Sequence, residues 1–224
     1  QRDLADFYEK VRDATGFDPR GPNPHFLAQC YGEPDYLWRI DNWGLHPDNC
    51  RIIGMAYSDL LLNPPYSRKD LQSEYPSIDI VNRKTVLISF TWHYGGIFAH
   101  PNKIAGGKAR SGILIHRARD LEFVRALFSD IRATGANIIL CLHETHRYDP
   151  DLLEGIKTIA DESGNVEIRE KKIHPDNLAD LVASDVMVSN LSSFITYKYV
   201  MGDPTVHLCP TTPGKNSISL AIHR

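Results

Sequence analysis

Lys84-Thr85-Val86-Leu87-Ile88-Ser89-Phe90 is a run of mostly β-branched and apolar residues near the middle of this 224-residue chain. Its length and its lack of polar alternation are typical of a strand buried on both faces, as in a parallel sheet. Asn137–Leu142 has the same character. Between the two runs, residues 118–134 repeat apolar side chains at helical spacing, and Gly135 is well placed to end that helix. The stretch therefore predicts a strand, a helix and a second parallel strand.

The alternation continues along the chain. Further helices are predicted at 149–163, 177–183 and 192–201, and further strands at 165–169, 185–188 and 205–208. Strands that alternate with helices predict an α/β fold, a parallel sheet with helices on both faces. Right-handed crossovers place the carboxyl ends of all the strands at one edge, and open α/β sheets bind their ligands at that edge.

The first third of the chain is less regular. Residues 3–15 are predicted to form an amphipathic helix, and residues 16–50 are rich in Gly, Pro, Asn and Asp, with one short helix around 34–43. Residues 51–55 are predicted to be a short strand that runs into a turn. Three prolines within 63–82 indicate a connector with one helical turn.

Composition excludes several classes of protein. With 42% hydrophobic and 24% charged residues, the chain is neither disordered nor fibrous, and a net charge of −3 argues against nucleic-acid binding. No apolar run is long enough to span a bilayer, and the amino-terminal residues do not resemble a signal peptide. The four cysteines form no C-x-x-C pair, which favours a reducing compartment. Cys141, inside an apolar run, is expected to be a small core residue.

Polar side chains follow three of the predicted strands directly. They are Thr91, Trp92 and His93 after the first strand, His143, Glu144, Thr145, His146 and Arg147 after the second, and Ser189, Asn190, Ser192 and Ser193 after the fourth. Because parallel strands end at one edge, we expect the three clusters to converge there and form a site.

Ser192 and Ser193 are predicted to lie in the first turn of a helix. Unpaired backbone N–H groups and the positive end of the helix dipole are found there, so two hydroxyls could complete a cradle for a phosphate or diphosphate. The alternative, which the sequence leaves open, is that a serine simply caps the helix.

His143 and Arg147 offer an imidazole and a fixed cation within one short loop. Such a pair can neutralise or protonate a diphosphate leaving group. The alternative is a surface loop with incidental charge. Neighbouring residues on one loop are poorly placed as ligands of a metal ion, so we predict no metal and no cofactor. The sequence contains no G-x-G-x-x-G, no P-loop and no G-x-S-x-G, which counts against dinucleotide oxidoreductases, kinases and α/β-hydrolases.

Four segments, in order, resemble motifs of the CDP-glycerol glycerophosphotransferases, the teichoic-acid polymerases and primases. They are Ile53-Gly54-Met55-Ala56-Tyr57-Ser58-Asp59, then Ser89-Phe90-Thr91-Trp92-His93, then Cys141-Leu142-His143-Glu144, and finally residues 184–193 followed by Gly202-Asp203-Pro204. The resemblance covers about residues 51–208. It departs from the family where His93 replaces Arg, Glu144 replaces Pro, Asn190-Leu191 replaces Asp-Tyr and Asp203 replaces Lys.

The resemblance implies a Rossmann-like domain, the C-terminal half of a GT-B fold. In that family the matched histidine and the paired serines help to bind the cytidine diphosphate, which would give His143, Ser192 and Ser193 that role, with Thr91 and His93 beside them. The family's general base belongs to an N-terminal domain. We therefore expect residues 1–50 to be a remnant of a partner domain and 51–224 to be the nucleotide-binding domain.

The function expected from these features is transfer from a nucleotide-diphosphate-activated donor, either a CDP-glycerol-like polyol phosphate or a sugar nucleotide. The acceptor would be a polymer or glycolipid hydroxyl in cell-surface polymer or glycan synthesis, with His143 and Arg147 as the catalytic residues. The expected location is the cytoplasm, at the inner face of the membrane through another domain. Two alternatives stay open: a non-catalytic nucleotide-binding or partner module, and a sugar-nucleotide epimerase that uses Glu144.

Overall fold

A computed structural model of the chain describes residues 2–55, 57–90, 120–142, 150–189 and 194–208. The chain divides into two compact units, Gln1–Asp59 and Leu60–Arg224. Residues 50–52, around the predicted boundary at 50/51, pair with a strand of the first unit.

The first unit is a small β–α–β arrangement with an additional helix. Its elements are α1 (Arg2–Thr15), β1 (Ala28–Cys30), α2 (Glu33–Trp43), a 3-10 turn (Pro47–Asn49) and β2 (Cys50–Ile52). Strands β1 and β2 pair in parallel, with Ala28 opposite Cys50. A core of Tyr8, Ala28, Cys30, Leu45 and Cys50 packs against Phe26, Tyr36, Ile40 and Trp43. Both helices were predicted, whereas the three-residue β1 was not.

The second unit contains the alternating elements. They are α4 (Arg68–Leu71), β3 (Thr85–Ser89), α5 (Asp120–Ala133), β4 (Asn137–Leu142), α6 (Pro150–Ser163), β5 (Val166–Glu170), α7 (Leu178–Ala183), β6 (Val186–Ser189), α8 (Ile195–Val200) and β7 (Thr205–His207), while α3 (Ser58–Leu62) precedes them. Every strand and helix predicted after residue 84 is present within three residues of its predicted bounds.

The five strands form one parallel sheet in the order β5-β4-β3-β6-β7. From the central β3 the chain moves outward to β4 and β5, then returns to the other side of β3 for β6 and β7. This order matches the first five strands of the Rossmann arrangement. The predicted α/β fold, a Rossmann-like parallel sheet with helices on both faces, is thereby confirmed.

One face of the sheet packs against α5 and α6. Its core includes Ile88, Ile138, Leu140 and Val188 from the strands and Phe128 from α5, with α6 completing the layer. The two helices approach closely at Gly155 of α6, where an added Cβ would lie 2.7 Å from Leu121 Cδ1. Right-handed crossovers toward β4 and β5 require both helices on this face. Gly135 ends α5 with a positive φ of 79°, as predicted.

The opposite face carries α7, α8 and the segment 66–80. We predicted 63–82 to be a connector, but it supplies part of this layer. Ser67 begins α4 with a capping box formed with Asp70, and Tyr75 is completely buried. Lys198 of α8 is also buried, and its ammonium group donates to the carbonyl oxygens of Leu181 (2.7 Å) and Ser184 (2.6 Å). The lysine thus caps α7 and fastens α8 to it.

Among the described residues, no helix has the length and apolarity required to cross a membrane.

Candidate functional site

Strands β4, β3 and β6 are neighbours, and they end at the same level of the sheet. Ser89 of β3 is opposite Cys141 of β4 on one side and opposite Ser189 of β6 on the other. The clusters that begin at Thr91 and His143 follow these positions by two residues, and the third cluster begins at Ser189 itself. The described strand ends are therefore adjacent at one edge, as the proposed convergence of the clusters requires.

The predicted site residues themselves lie outside the described residues. They are Thr91, His93, His143, Arg147, Ser192 and Ser193, together with the alternative acid Glu144. Helix α8 begins at Ile195, with Phe194 before it. The roles given to these residues remain predictions.

The boundary between β3 and β6 is the topological switch point of the sheet. After β3 the chain crosses to β4 over one face, and after β6 it crosses to β7 over the other. Loops that leave neighbouring strands in opposite directions open a crevice outside their carboxyl ends, and ligands of open α/β sheets bind in that crevice. The topology therefore identifies the ends of β3 and β6 as the candidate site.

A row of polar residues crosses the sheet just below this edge. In register they are Arg169 (β5), Cys141 (β4), Ser89 (β3), Ser189 (β6) and His207 (β7). Each of them has a neighbour along its strand that belongs to the core under α5 and α6 or packs against it, namely Ile168, Leu140, Ile88, Val188 and Leu208. Because side chains alternate between the faces of a strand, all five of them face the side of α7 and α8. We call these five residues the polar row.

Ser189 links three strands within the polar row. Its hydroxyl donates to the carbonyl oxygen of Ser89 at 2.5 Å, and its own carbonyl accepts from the amide of Leu208 at 2.7 Å. The residue is completely buried. A buried hydroxyl is tolerated because it is hydrogen-bonded, and the bond lies at the switch point between β3 and β6.

Arg169 and Cys141 share one buried carboxylate, Asp180 of α7. The Arg169 guanidinium donates to Asp180 at 2.9 Å and the Cys141 thiol at 3.2 Å, while the Tyr75 hydroxyl donates at 2.7 Å. Arg169 also lies over the Tyr75 ring and donates to the carbonyl of Glu74. Because Asp180 neutralises its charge, Arg169 serves the fold at this edge rather than presenting a free cation.

Burial sets the protonation state of the groups around Asp180. It raises the pKa of the Tyr75 phenol far above its usual value, and the charge of Asp180 adds to the effect. The Cys141 thiol has a raised pKa for the same two reasons. Burial, together with the charges of Asp176 and Glu74, raises the pKa of Tyr66 to about 12. The Tyr75 phenol and the Cys141 thiol are therefore neutral donors to Asp180 at neutral pH, beside the charged Arg169. Cys141 is buried as predicted, but with a polar partner.

The amino-terminal edge of the sheet is held by a different set of charges. Asp185, just before β6, accepts hydrogen bonds from Arg68 (2.9 Å), Lys84 (2.7 Å) and the amide of Thr85 (2.9 Å). These groups pair with one another at the edge opposite the candidate site, so they are assigned to the fold.

The sequence singled out Ser189 as part of the cluster after the fourth predicted strand, but it identified neither the other four residues of the polar row nor Asp180 as parts of the site region. Ser89 and Cys141 each interrupt an apolar run, which was the available signal. His207, exposed at the end of β7, was not named either, although it is in register with Ser189. Within the described ranges, no three His, Cys, Asp or Glu side chains are grouped as a metal site would require.

No protein-family model matches the chain, and no curated protein matches it. Solved structures similar to it include a variant of the wall teichoic acid polymerase TagF, with 13% identity over 80% of this chain and 38% of that one, and a TM-score of 0.49. Others are a glycosyltransferase from Rickettsia africae (11% identity, 89% of this chain, 47% of that one, TM-score 0.45) and HepE from Anabaena in complex with UDP and glucose (12%, 91%, 48%, 0.44). This chain spans less than half the length of each.

Proposed function

We propose that the second unit binds a nucleoside diphosphate at the carboxyl ends of β3 and β6, as the donor-binding domain of a transferase. The donor is a nucleotide-activated polyol phosphate, resembling CDP-glycerol, or a nucleotide sugar. The acceptor is a hydroxyl group of a polymer or glycolipid in cell-surface polymer or glycan synthesis. In this proposal the domain is the C-terminal half of a GT-B fold.

The observation that carries the proposal is the switch point between β3 and β6. Three chain segments rich in His, Ser, Thr and Arg follow directly on the neighbouring ends of β4, β3 and β6. A crevice with such polar groups around it suits an anionic ligand better than an apolar one.

The proposed roles follow from the charge that the reaction develops. With a CDP-polyol donor the acceptor oxygen attacks phosphorus, and with a sugar nucleotide it attacks the anomeric carbon. In both cases a nucleotide leaves with additional negative charge on its phosphate. His143 and Arg147 are proposed to stabilise or protonate that leaving group, and Thr91, His93, Ser192 and Ser193 to hold the phosphates.

The polar row offers little positive charge of its own. Arg169 is neutralised by Asp180, and the rest of the polar row consists of Cys141, two serines and His207. The proposal therefore assigns the main stabilising charge to Arg147 and His143, and it requires no metal ion.

The proposed location is the cytoplasm, where nucleotide-activated donors are made. Cys30, Cys50 and Cys141 are free thiols buried in the two units, which is compatible with a reducing compartment.

Binding is tested by calorimetric titration of the chain with CDP, UDP, GDP and ADP. We expect a preference for a pyrimidine diphosphate. His143→Ala and Ser193→Ala should each weaken binding by about 1–3 kcal/mol, the usual effect of deleting a hydrogen bond to a charged group. His25→Ala and Ser73→Ala, at exposed positions outside the three segments that follow the strand ends, are the matched controls. Negligible binding of all four nucleotides would contradict the proposal.

Measuring product formation distinguishes a transferase from a non-catalytic module and from an epimerase. A non-catalytic module would bind the nucleotide and form no product with any acceptor. An epimerase would convert the nucleotide sugar without an acceptor, and Glu144→Gln would abolish that conversion. Product that appears only when a hydroxyl acceptor is present would support the transferase.

A further inference from the structure

We infer that Ser189 is a positioning residue for the nucleotide site, because its hydroxyl holds the last residues of β3 and β6 together where the crevice opens. The inference rests on the proposed function and concerns how that site keeps its shape. Ser189 is not proposed to touch the ligand.

The contacts of Ser189 place it at the centre of the edge. Its hydroxyl bonds the Ser89 carbonyl across the β3–β6 boundary, and its backbone carbonyl bonds the Leu208 amide next to β7. One residue therefore fixes the spacing of three strand ends. A shift of either β3 or β6 along the strand direction would break the hydroxyl bond, since hydrogen bonds weaken steeply when misaligned.

A hydroxyl is unusual at this level of the β3–β6 boundary. The two preceding paired levels are apolar, Leu87 opposite Met187 and Ile88 opposite Val188. An alanine at residue 189 would pack at this position as well as the serine does, and no hydroxyl group would have to be removed from water. The serine pair instead occupies the last described level of the ladder, where the Ser189 hydroxyl donates to the Ser89 carbonyl. The contacts between β3 and β6 therefore change from apolar packing to a side-chain hydrogen bond at the level where the two strands end.

The competing explanation is that Ser189 only stabilises the fold. Ser184 provides a matched control, because it is as deeply buried and its hydroxyl donates to the Leu181 carbonyl at 3.1 Å. It precedes β6, at the opposite edge of the sheet from Ser189. Removing either hydroxyl removes one buried hydrogen bond, but only Ser189 borders the proposed crevice.

The experiment compares Ser189→Ala with Ser184→Ala for unfolding midpoint and for affinity toward CDP and UDP. Both variants should show similar falls in the midpoint. Ser189→Ala should bind the preferred nucleotide about tenfold more weakly than the unchanged protein, the equivalent of one lost hydrogen bond, and Ser184→Ala should bind within about twofold. If Ser189→Ala does not fold, Ser189→Cys keeps the side chain's shape while donating only weakly, and the same loss is expected.

The outcomes distinguish the two proposals. If the unchanged protein binds neither nucleotide, the proposed function fails and this inference fails with it. If it binds one of them and the Ser189 and Ser184 variants bind equally well, the inference is overturned while the proposed function stands.

Discussion

Arg169 and Asp180 form an ion pair of 2.9 Å in which neither side chain is more than 2% exposed. The pair joins the end of β5 to α7, and Asp180 is also bonded to Tyr75 and Cys141. The carboxylate therefore connects the segment 66–80, two strands and a helix on one face of the sheet. The fold beneath the candidate site depends on this one buried charge.

Asp180→Asn should lower the free energy of unfolding by about 3–5 kcal/mol, because it leaves the buried Arg169 charge with only the half-exposed Glu74 carboxylate, 3.4 Å away, as a counter-charge. Urea unfolding measures the change. Glu162→Gln is the control, since it breaks the ion pair with Arg125 in which both side chains are more than half exposed. That variant should lose less than about 1 kcal/mol. If both variants lost the same free energy of unfolding, the buried Asp180 would contribute no more to stability than an exposed ion pair does.

Asp185 should make stability depend on pH in the acid range. Partial burial raises its pKa, but hydrogen bonds from Arg68, Lys84 and the Thr85 amide outweigh this and lower the pKa to about 2, from a usual value of 3.8. As the pH falls, the unfolded chain therefore takes up a proton first. The stabilisation is complete above about pH 4 and is lost as the pH falls toward 2.

Asp185→Asn should accordingly be less stable than the unchanged protein by about 1–2 kcal/mol at pH 7, a figure that allows for screening of the exposed Lys84. The difference should shrink steadily between pH 4 and about pH 2. Denaturant unfolding at a series of pH values measures it. A difference that stays constant over that range would contradict the assigned role.

Gly155 should be required for the close approach of α5 and α6. Alanine favours a helix by about 1 kcal/mol relative to glycine, yet a Cβ at residue 155 would lie within 2.8 Å of both methyl groups of Leu121. We expect Gly155→Ala to destabilise the protein by about 1 kcal/mol or more. In a Leu121→Ala background the same change should be neutral or stabilising, and a double-mutant cycle would measure the coupling. An additive cycle would refute the steric account.

Asn49 should control local order in the first unit. Its buried side chain donates to the carbonyls of Pro19 (3.0 Å) and Gly21 (2.7 Å) and accepts from the Asn23 amide (2.8 Å). Asn49→Ala should speed hydrogen exchange of the Asn23 amide by at least about tenfold. Asn42→Ala, which removes an exposed amide of the same unit, should leave that exchange unchanged. Similar exchange in both variants would count against the assignment.

Much of the second unit was predictable because its central strands, β3, β4 and β6, are largely buried on both faces. Asn137–Leu142 was predicted with its observed bounds, since six consecutive apolar or small residues between two helical patterns leave one interpretation. The predicted helix over 177–183 is likewise observed as α7. Here local pattern and tertiary packing agree.

The rest of the fold depends on long-range contacts, which limited how much of it could be predicted from the sequence. The prolines of 63–82 indicated a connector. Tyr75 within it is nevertheless buried, and its hydroxyl donates to Asp180, 105 residues away in sequence. The three residues of β1 carry too short a pattern to be predicted. The polar row emerges only from the strand register, which no local pattern reveals. At the candidate site, the sequence indicated which segments follow the strand ends, and the register shows that those ends are neighbours.

Backbone amide NMR during addition of CDP or UDP tests most directly whether a nucleotide binds at the switch point. The account predicts concentration-dependent shifts of Phe90, Leu142 and Ser189, at the carboxyl ends of the strands. Thr85 and Asn137, at their amino ends, should be unaffected. Shifts confined to the amino-terminal edge, or none at saturating nucleotide, would contradict the account.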